Sequence, residues 1–466
     1  MKSLQSYIDE TPPRPLSLMQ WRIWILAATG KFFEGMVIFL TGVAIPLIEQ
    51  DFNLASALKG SVAAATLLGI LVGASLFGNL ADRLGRKLVF VSEMAIFTVF
   101  VSLTAIAWNV PSLIFFLFCV GVALGADYPT AHLIISESIP SSFRGRMVLG
   151  AFAFQSIGSL GGVLIGLLVL RINPEVGAWH WMYASLVIPG IIVFLLRMGI
   201  PESAHWLISH NRQEDAQRSA KALLQRPVEL ADLVERIGQQ RKQKYKLLFS
   251  PRYLRATILA AVPWFLQDLA TYGIGIFTPT ILATLFTKTQ PNFIFKDMVA
   301  AEGSGAIDLF LLIGFLASIS LVDQVGRIPL QIVGFIGCGV GLGIASLAAE
   351  TIPEGHQLKV FLIFGGFIIF NFMTNLGPNA MTYVLAGEIF PVQIRGLGAG
   401  FAASFAKVGA VTTAFFFPIL REQIGTANLL HGLVITSLFG ALVTFIFRIE
   451  PNGKSLENVE DNDHNN

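Results

Sequence analysis

Apolar residues in this chain come in long unbroken runs, not in the alternation of a strand or the one-sided stripe of a soluble helix. A helix needs about 20 mostly apolar residues to cross a bilayer, because every backbone polar group in hydrocarbon must be paired within the segment. Twelve such segments are predicted, near 23–48, 60–80, 88–107, 111–137, 147–170, 181–199, 256–285, 305–322, 330–349, 359–386, 397–420 and 428–448. They are called spans 1 to 12 below. The expected fold class is an all-α integral membrane protein of twelve transmembrane helices.

Composition agrees with this pattern. Of 466 residues, 54% are hydrophobic and 13% charged, against roughly 25% charged in soluble chains. A net charge of +2 offers no basic surface for nucleic acid. The polar leader Thr11-Pro12-Pro13-Arg14-Pro15 precedes the first apolar run, and no cleavable signal peptide is expected. Cys119 and Cys338 both fall inside spans, so neither a disulfide framework nor a metal cluster is expected. No P-loop and no nucleophile-base pairing is found, so neither an enzyme nor an ATP-driven pump is supported.

Basic residues set the orientation. Arg83, Arg86 and Lys87 follow span 2, Arg144 and Arg146 follow span 4, and Arg395 follows span 10, which predicts cytoplasmic termini. Residues 201–254 break the hydrophobic pattern and read as a cytoplasmic linker, with amphipathic helices expected at Ala216 to Leu224 and Leu230 to Ile237. The chain thus divides into a six-helix half at 1–200, the linker, a second half at 255–450 and a disordered tail at 451–466. Two patterns recur across the linker: Glu137 to Pro140 with Arg144-Gly145 returns as Glu388 to Pro391 with Arg395-Gly396, and Asp82-Arg83-Leu84-Gly85-Arg86 returns as Asp323-Gln324-Val325-Gly326-Arg327. Matched signals at matched places argue for a duplicated unit with substrate held between the halves near mid-membrane.

These motifs resemble the major facilitator superfamily. Gly78 to Lys87 looks like its loop signature, and Pro201-Glu202-Ser203-Ala204-His205-Trp206-Leu207 is similar to the P-E-S-x-R-W-L of its sugar-porter-like branch, with His205 where Arg is usual. The resemblance implies gating charge pairs among Asp82, Arg83, Arg86, Glu137, Arg144, Asp323, Arg327, Glu388 and Arg395.

Ionisable groups inside spans normally mark a pathway or a partner. Here they are Lys31 and Glu34 in span 1, Glu93 in span 3, Asp127 in span 4, Asp268 in span 7, Asp308 in span 8 and Lys407 in span 11. Span 7 spaces Trp264, Asp268 and Tyr272 by four, which puts two neutral donors and a carboxyl on one stripe. Span 4 carries Asp127-Tyr128-Pro129, span 5 carries Gln155, and span 10 carries Asn371, Asn375 and Gly377-Pro378-Asn379.

Together these residues resemble the phosphate:proton symporters of the superfamily. The resemblance implies a substrate site of Tyr128, Gln155, Trp264, Asp268, Tyr272, Asn379 and Lys407, and proton coupling through Asp268, Asp127, Glu34 and Glu93. The chain departs from that pattern at Val37, where a second span 1 acid is usual, at Leu117, where an Arg is usual, and in the added charge of Lys31. A neutral Asp268 could donate to a phosphate oxygen, so proton and anion would favour each other's binding, and Lys407 could pair with Asp268 in the empty state.

The expected partners are therefore a small-molecule substrate, protons and the lipid bilayer. No cofactor, metal or nucleic acid is expected, and the protein is expected to act as a monomer in a plasma or bacterial inner membrane. Three other functions stay open: a sugar or polyol porter, an organic anion or cation transporter, and a transporter-like sensor. Gln267-Asp268 and Asn379 stand where sugar porters usually show a glutamine pair and a Trp.

Overall fold

The computed structural model describes residues 8, 9, 15–228, 245–285, 292–353, 355–391 and 394–449, without the side chains at 78, 79, 141, 142, 144 and 145. The expected helix at Leu230 to Ile237, the tail at 451–466 and the side chain of Arg144 lie outside these residues.

Ten helices among the described residues are long and apolar enough to cross a membrane. One of them, Arg395–Ile446, is spans 11 and 12 merged through Gly425, whose φ of 80° and ψ of 163° are not helical. Span 7, the helix Pro251–Leu285, carries the polar stripe that lowers its hydropathy and completes the set of twelve. Spans 1 to 5 are Leu18–Phe52, Ser56–Leu84, Arg86–Thr104, Val110–Ser138 and Ser141–Ile172. Span 6 is two helices, Ala178–Ala184 and Val187–Met198, and span 10 is likewise split at Gly377 into Gln357–Leu376 and Pro378–Glu388. Spans 8 and 9 are Phe293–Val325 and Arg327–Thr351.

Several helices outrun their apolar stretches. Span 8 starts at Phe293, well before the expected 305, because Lys296, Asp297 and Glu302 interrupt hydropathy without interrupting the backbone hydrogen-bond ladder. Span 7 starts at Pro251 in place of 256 for the same reason, with Arg252 and Arg255 in its first turns. In the linker, short helices at Ala204–Ser209 and Gln213–Leu224 follow Pro201. The first is capped by the Ser203 hydroxyl, which accepts from the Trp206 amide.

Within the first half, span 1 lies against spans 4 and 5, and within the second, span 7 lies against span 11. The halves meet where span 2 packs on span 11 and span 5 on span 8. The approach of spans 1 and 5 depends on glycine. A Cβ at Gly158 would stand 1.9 Å from the Phe32 carbonyl oxygen, and one at Gly35 would stand 2.1 Å from that of Gln155. Small residues let membrane helices touch backbone to backbone, and this contact sets Gln155 beside Glu34. The duplication is visible in the turns: Gly85 after span 2 and Gly326 after span 8 have φ of 106° and 94°, a conformation that side chains disfavour. Large apolar side chains such as Leu168, Ile188, Leu195 and Leu442 are exposed on the outer surface, as lipid contact requires.

Candidate functional site

The centre of the molecule is a buried network around Glu34. Its Oε1 accepts from the Tyr128 hydroxyl at 2.7 Å and from Gln155 Nε2 at 3.3 Å, and its Oε2 pairs with Lys31 Nζ at 2.9 Å. Lys31 Nζ also lies over the Tyr128 ring, where the ring face attracts a cation. From the other half, Lys407 Nζ pairs with Asp268 Oδ2 at 3.0 Å, donates to the Tyr272 hydroxyl at 2.8 Å and comes within 3.9 Å of Glu34. Gln155 Nε2 also donates to Tyr272 at 3.1 Å. Five helices, spans 1, 4, 5, 7 and 11, thus supply one cluster that bridges the two halves.

Burial decides what this cluster can do. Glu34 is 1% exposed, Asp268 2%, Lys407 4% and Lys31 6%, whereas Tyr128 and Gln155 are half-buried. Two lysines face two carboxylates, and the cluster is neutral when all four are ionised. Charges this deep must be paired, because desolvation of a lone ion costs several kcal/mol.

Of the residues singled out from sequence, Tyr128, Gln155, Asp268, Tyr272, Lys407 and Glu34 come together here. Glu93 and Asp127 do not join them. Both pair with Arg197 of span 6: Arg197 Nη2 lies 2.9 Å from Asp127 Oδ1, and Nη1 contacts Glu93. The guanidinium is fully buried and also donates to the carbonyls of Phe90 at 2.9 Å and Leu26 at 3.0 Å. Trp264 sits edge-on to Tyr383, with ring centroids 6.0 Å apart, and Tyr383 stacks on Phe152 at 4.4 Å. Asn379 donates to Asn375 Oδ1 at 2.7 Å.

Sequence reasoning missed Arg197, which sits four residues before Pro201 and passes for a flanking charge at the end of span 6. The available signal was arithmetic. Glu93 and Asp127 are two acids in neighbouring spans with no Lys or Arg inside 88–107 or 111–137, which points to a cation from elsewhere. Tyr383 was missed because an aromatic in an apolar run carries no signal of its own.

The loop charges form two similar clusters on one side of the membrane. Arg86 lies 3.0 Å from Asp82 and 3.4 Å from Glu137, whose Oε2 accepts from the Ser203 hydroxyl at 2.5 Å. In the second half, Arg327 lies 3.7 Å from Asp323 and 3.2 Å from Glu388. Arg395 Nε donates to the Phe390 carbonyl, and Arg83 is exposed. Across the halves on this side, Arg146 and Asp323 are 3.9 Å apart and largely exposed. On the opposite side the halves touch through Arg171 and Glu302 at 2.5 Å and through Ser56 and Glu422.

Twelve spans in two matched halves around a buried polar centre define a major facilitator-type membrane transporter. The chain belongs to the sugar (and other) transporter family, whose model matches residues 23–462. It is similar to the inorganic phosphate transporter 1-1 of Arabidopsis thaliana, 28% identical over 93% of both chains. The niacin transporter NiaP of Acinetobacter baylyi is 25% identical over 96% of this chain and 97% of its own. The fold matches the partially occluded inward-open xylose transporter XylE from E. coli, with a TM-score of 0.76 at 18% identity over 94% of this chain and all of that one.

Proposed function

We propose that the protein is a proton-coupled symporter of a small anion, with inorganic phosphate as the substrate. The loop clusters would face the cytoplasm, with both termini on that side. The observation that carries this is the paired state of Lys407 and Lys31: each cation is held by a carboxylate that a proton would neutralise. Asp268 then takes the proton and releases Lys407, and the freed lysine, with the hydroxyls of Tyr128 and Tyr272, suits a phosphate monoanion. Proton and anion promote each other's binding, which is the linkage symport requires. The halves rock about the site, and loss of the proton on the cytoplasmic side restores the Lys407 to Asp268 pair and expels the anion. Relatives named for phosphate transport support the substrate.

A second substrate is favoured by the rings of Phe152, Tyr383 and Trp264, which form a continuous aromatic run. An aromatic carboxylate would stack there with its charge on the lysines, and the niacin transporter is a relative of matching length. The test is uptake of labelled phosphate by proteoliposomes with and without an inward proton gradient, in competition with nicotinate. Gradient-driven phosphate uptake that nicotinate leaves unchanged supports phosphate. Uptake of nicotinate in place of phosphate keeps the mechanism and moves the substrate, and uptake of either solute that ignores the gradient overturns symport.

A further inference from the structure

The central cluster leaves a second buried acid unused. Asp308 lies midway along span 8 and is 2% exposed, with Oδ1 accepting from Asn371 Nδ2 at 3.0 Å. Among the described residues it has no basic partner within 4 Å. The elements packed on span 8 are spans 1, 5, 7, 9 and 10, and none of their described cations pairs with Asp308. Arg22 donates to the Leu196 carbonyl, Arg146 lies 3.9 Å from Asp323 and Arg255 donates to the Arg448 carbonyl. Lys31 is on Glu34, Arg171 on Glu302, Arg327 on Asp323 and Glu388, and Lys359 Nζ donates to the Ala349 carbonyl. An ionised carboxylate without a cation in such surroundings is too costly to persist, whereas a protonated one needs only hydrogen bonds.

Two further features connect Asp308 in opposite directions. Toward the site, Asn371, Asn375 and Asn379 follow one another at intervals of four. Asn375 donates to the Leu311 carbonyl at 2.8 Å and to Ser156 Oγ of span 5 at 2.9 Å, next to Gln155 of the Glu34 cluster. Toward the far end of span 8, Asp297 and Ser304 lie eleven and four residues before Asp308, which places all three on one helical face roughly 16 Å long. Each of the two is 1% exposed, and both oxygens of Asp297 and the hydroxyl of Ser304 have no hydrogen-bond partner among the described residues. Polar atoms this deep without partners mark a route that water or a proton would occupy.

We infer that Asp308 is a second proton-binding acid, loaded along the Asp297 and Ser304 face of span 8 and linked to the substrate site by the asparagine ladder of span 10. A metal cation does not suit the place. Asn371 Nδ2 donates both to Asp308 and, at 3.3 Å, to the Ile307 carbonyl, which turns the amide's donor side to the acid. The inference rests on the symport reading above and adds a second proton to it.

The experiment is the proton-to-anion ratio in proteoliposomes, taken from the proton gradient that just balances a set phosphate or nicotinate gradient, in wild type and Asp308→Asn. About two protons per anion in wild type and about one in the variant are expected. In parallel, dicyclohexylcarbodiimide, which adds to protonated carboxyls in apolar surroundings, should label Asp308 in the wild-type protein, so the test survives a variant that does not fold. An equal ratio in both proteins, or no adduct on Asp308, overturns the inference. If wild type moves about one proton per anion, only this second site falls; if it moves none, symport falls with it.

Discussion

Lys407 Nζ stands 3.0 Å from Asp268 Oδ2 across the packed faces of spans 11 and 7, both side chains almost wholly buried. The pair is stable only while both members are charged or the base finds another anion. In the proposed mechanism, substrate binding and acid protonation are therefore two halves of one exchange at Lys407.

That exchange gives the first prediction. Asp268→Asn keeps the shape of the acid and imitates its protonated state, leaving Lys407 ready for an anion at all times. Phosphate counterflow between two equal pools should continue, while uphill uptake driven by a proton gradient should fall at least about tenfold, a barrier change of about 1.4 kcal/mol. Full gradient-driven accumulation in the variant would rule out Asp268 as the coupling acid.

Lys31 separates an anion substrate from a cation. Lys31→Ala removes one of the two positive charges at the centre and leaves Glu34 with its Tyr128 and Gln155 hydrogen bonds. The apparent KM for phosphate should rise roughly tenfold, the scale of one charge-assisted hydrogen bond. Saturation curves of initial uptake provide the check, and a lowered KM would mean that the site favours positive charge.

Arg197 is expected to matter first for stability. Its replacement by alanine strands Glu93 and Asp127 in the interior, at a cost of about 3 to 5 kcal/mol. Thermal unfolding in detergent should show a large drop for Arg197→Ala. Adding Asp127→Asn to that variant should recover part of it, because one of the stranded charges is gone. An unchanged melting temperature for Arg197→Ala would contradict the buried triad.

Gly30 tests the seating of Asp127. A Cβ at this position would lie 1.9 Å from Asp127 Oδ2, so Gly30→Ala must push the carboxyl away from Arg197. Loss of transport and lowered thermal stability are expected. Gly343, also helical, has nothing within 4 Å of its would-be Cβ, and Gly343→Ala should behave as wild type in the same two assays.

Much of this architecture was legible in the chain. Twelve apolar runs and the paired Asp82 and Asp323 loops implied the span count and the twofold repeat, because hydrocarbon tolerates few alternatives to helices. The spacing of Asp268 and Tyr272 placed both on one stripe, and the expected Lys407 to Asp268 pair is present. What the chain did not disclose is partnership across spans. Glu93, Asp127 and Arg197 come from spans 3, 4 and 6, and only packing shows that they form one ion cluster beside the Glu34 network. Asp297 was hidden because three charges near the start of span 8 break the hydropathy signal while the helix itself continues.

The central claim is that a proton and an anion exchange places with the Lys407 to Asp268 ion pair. Its most direct test is the internal pH of proteoliposomes when phosphate is added outside with no proton gradient imposed. Wild type should acidify the lumen in step with phosphate entry, and Asp268→Asn should show less acidification per phosphate, at most the share carried by Asp308. Acidification of equal size in both proteins would contradict the account.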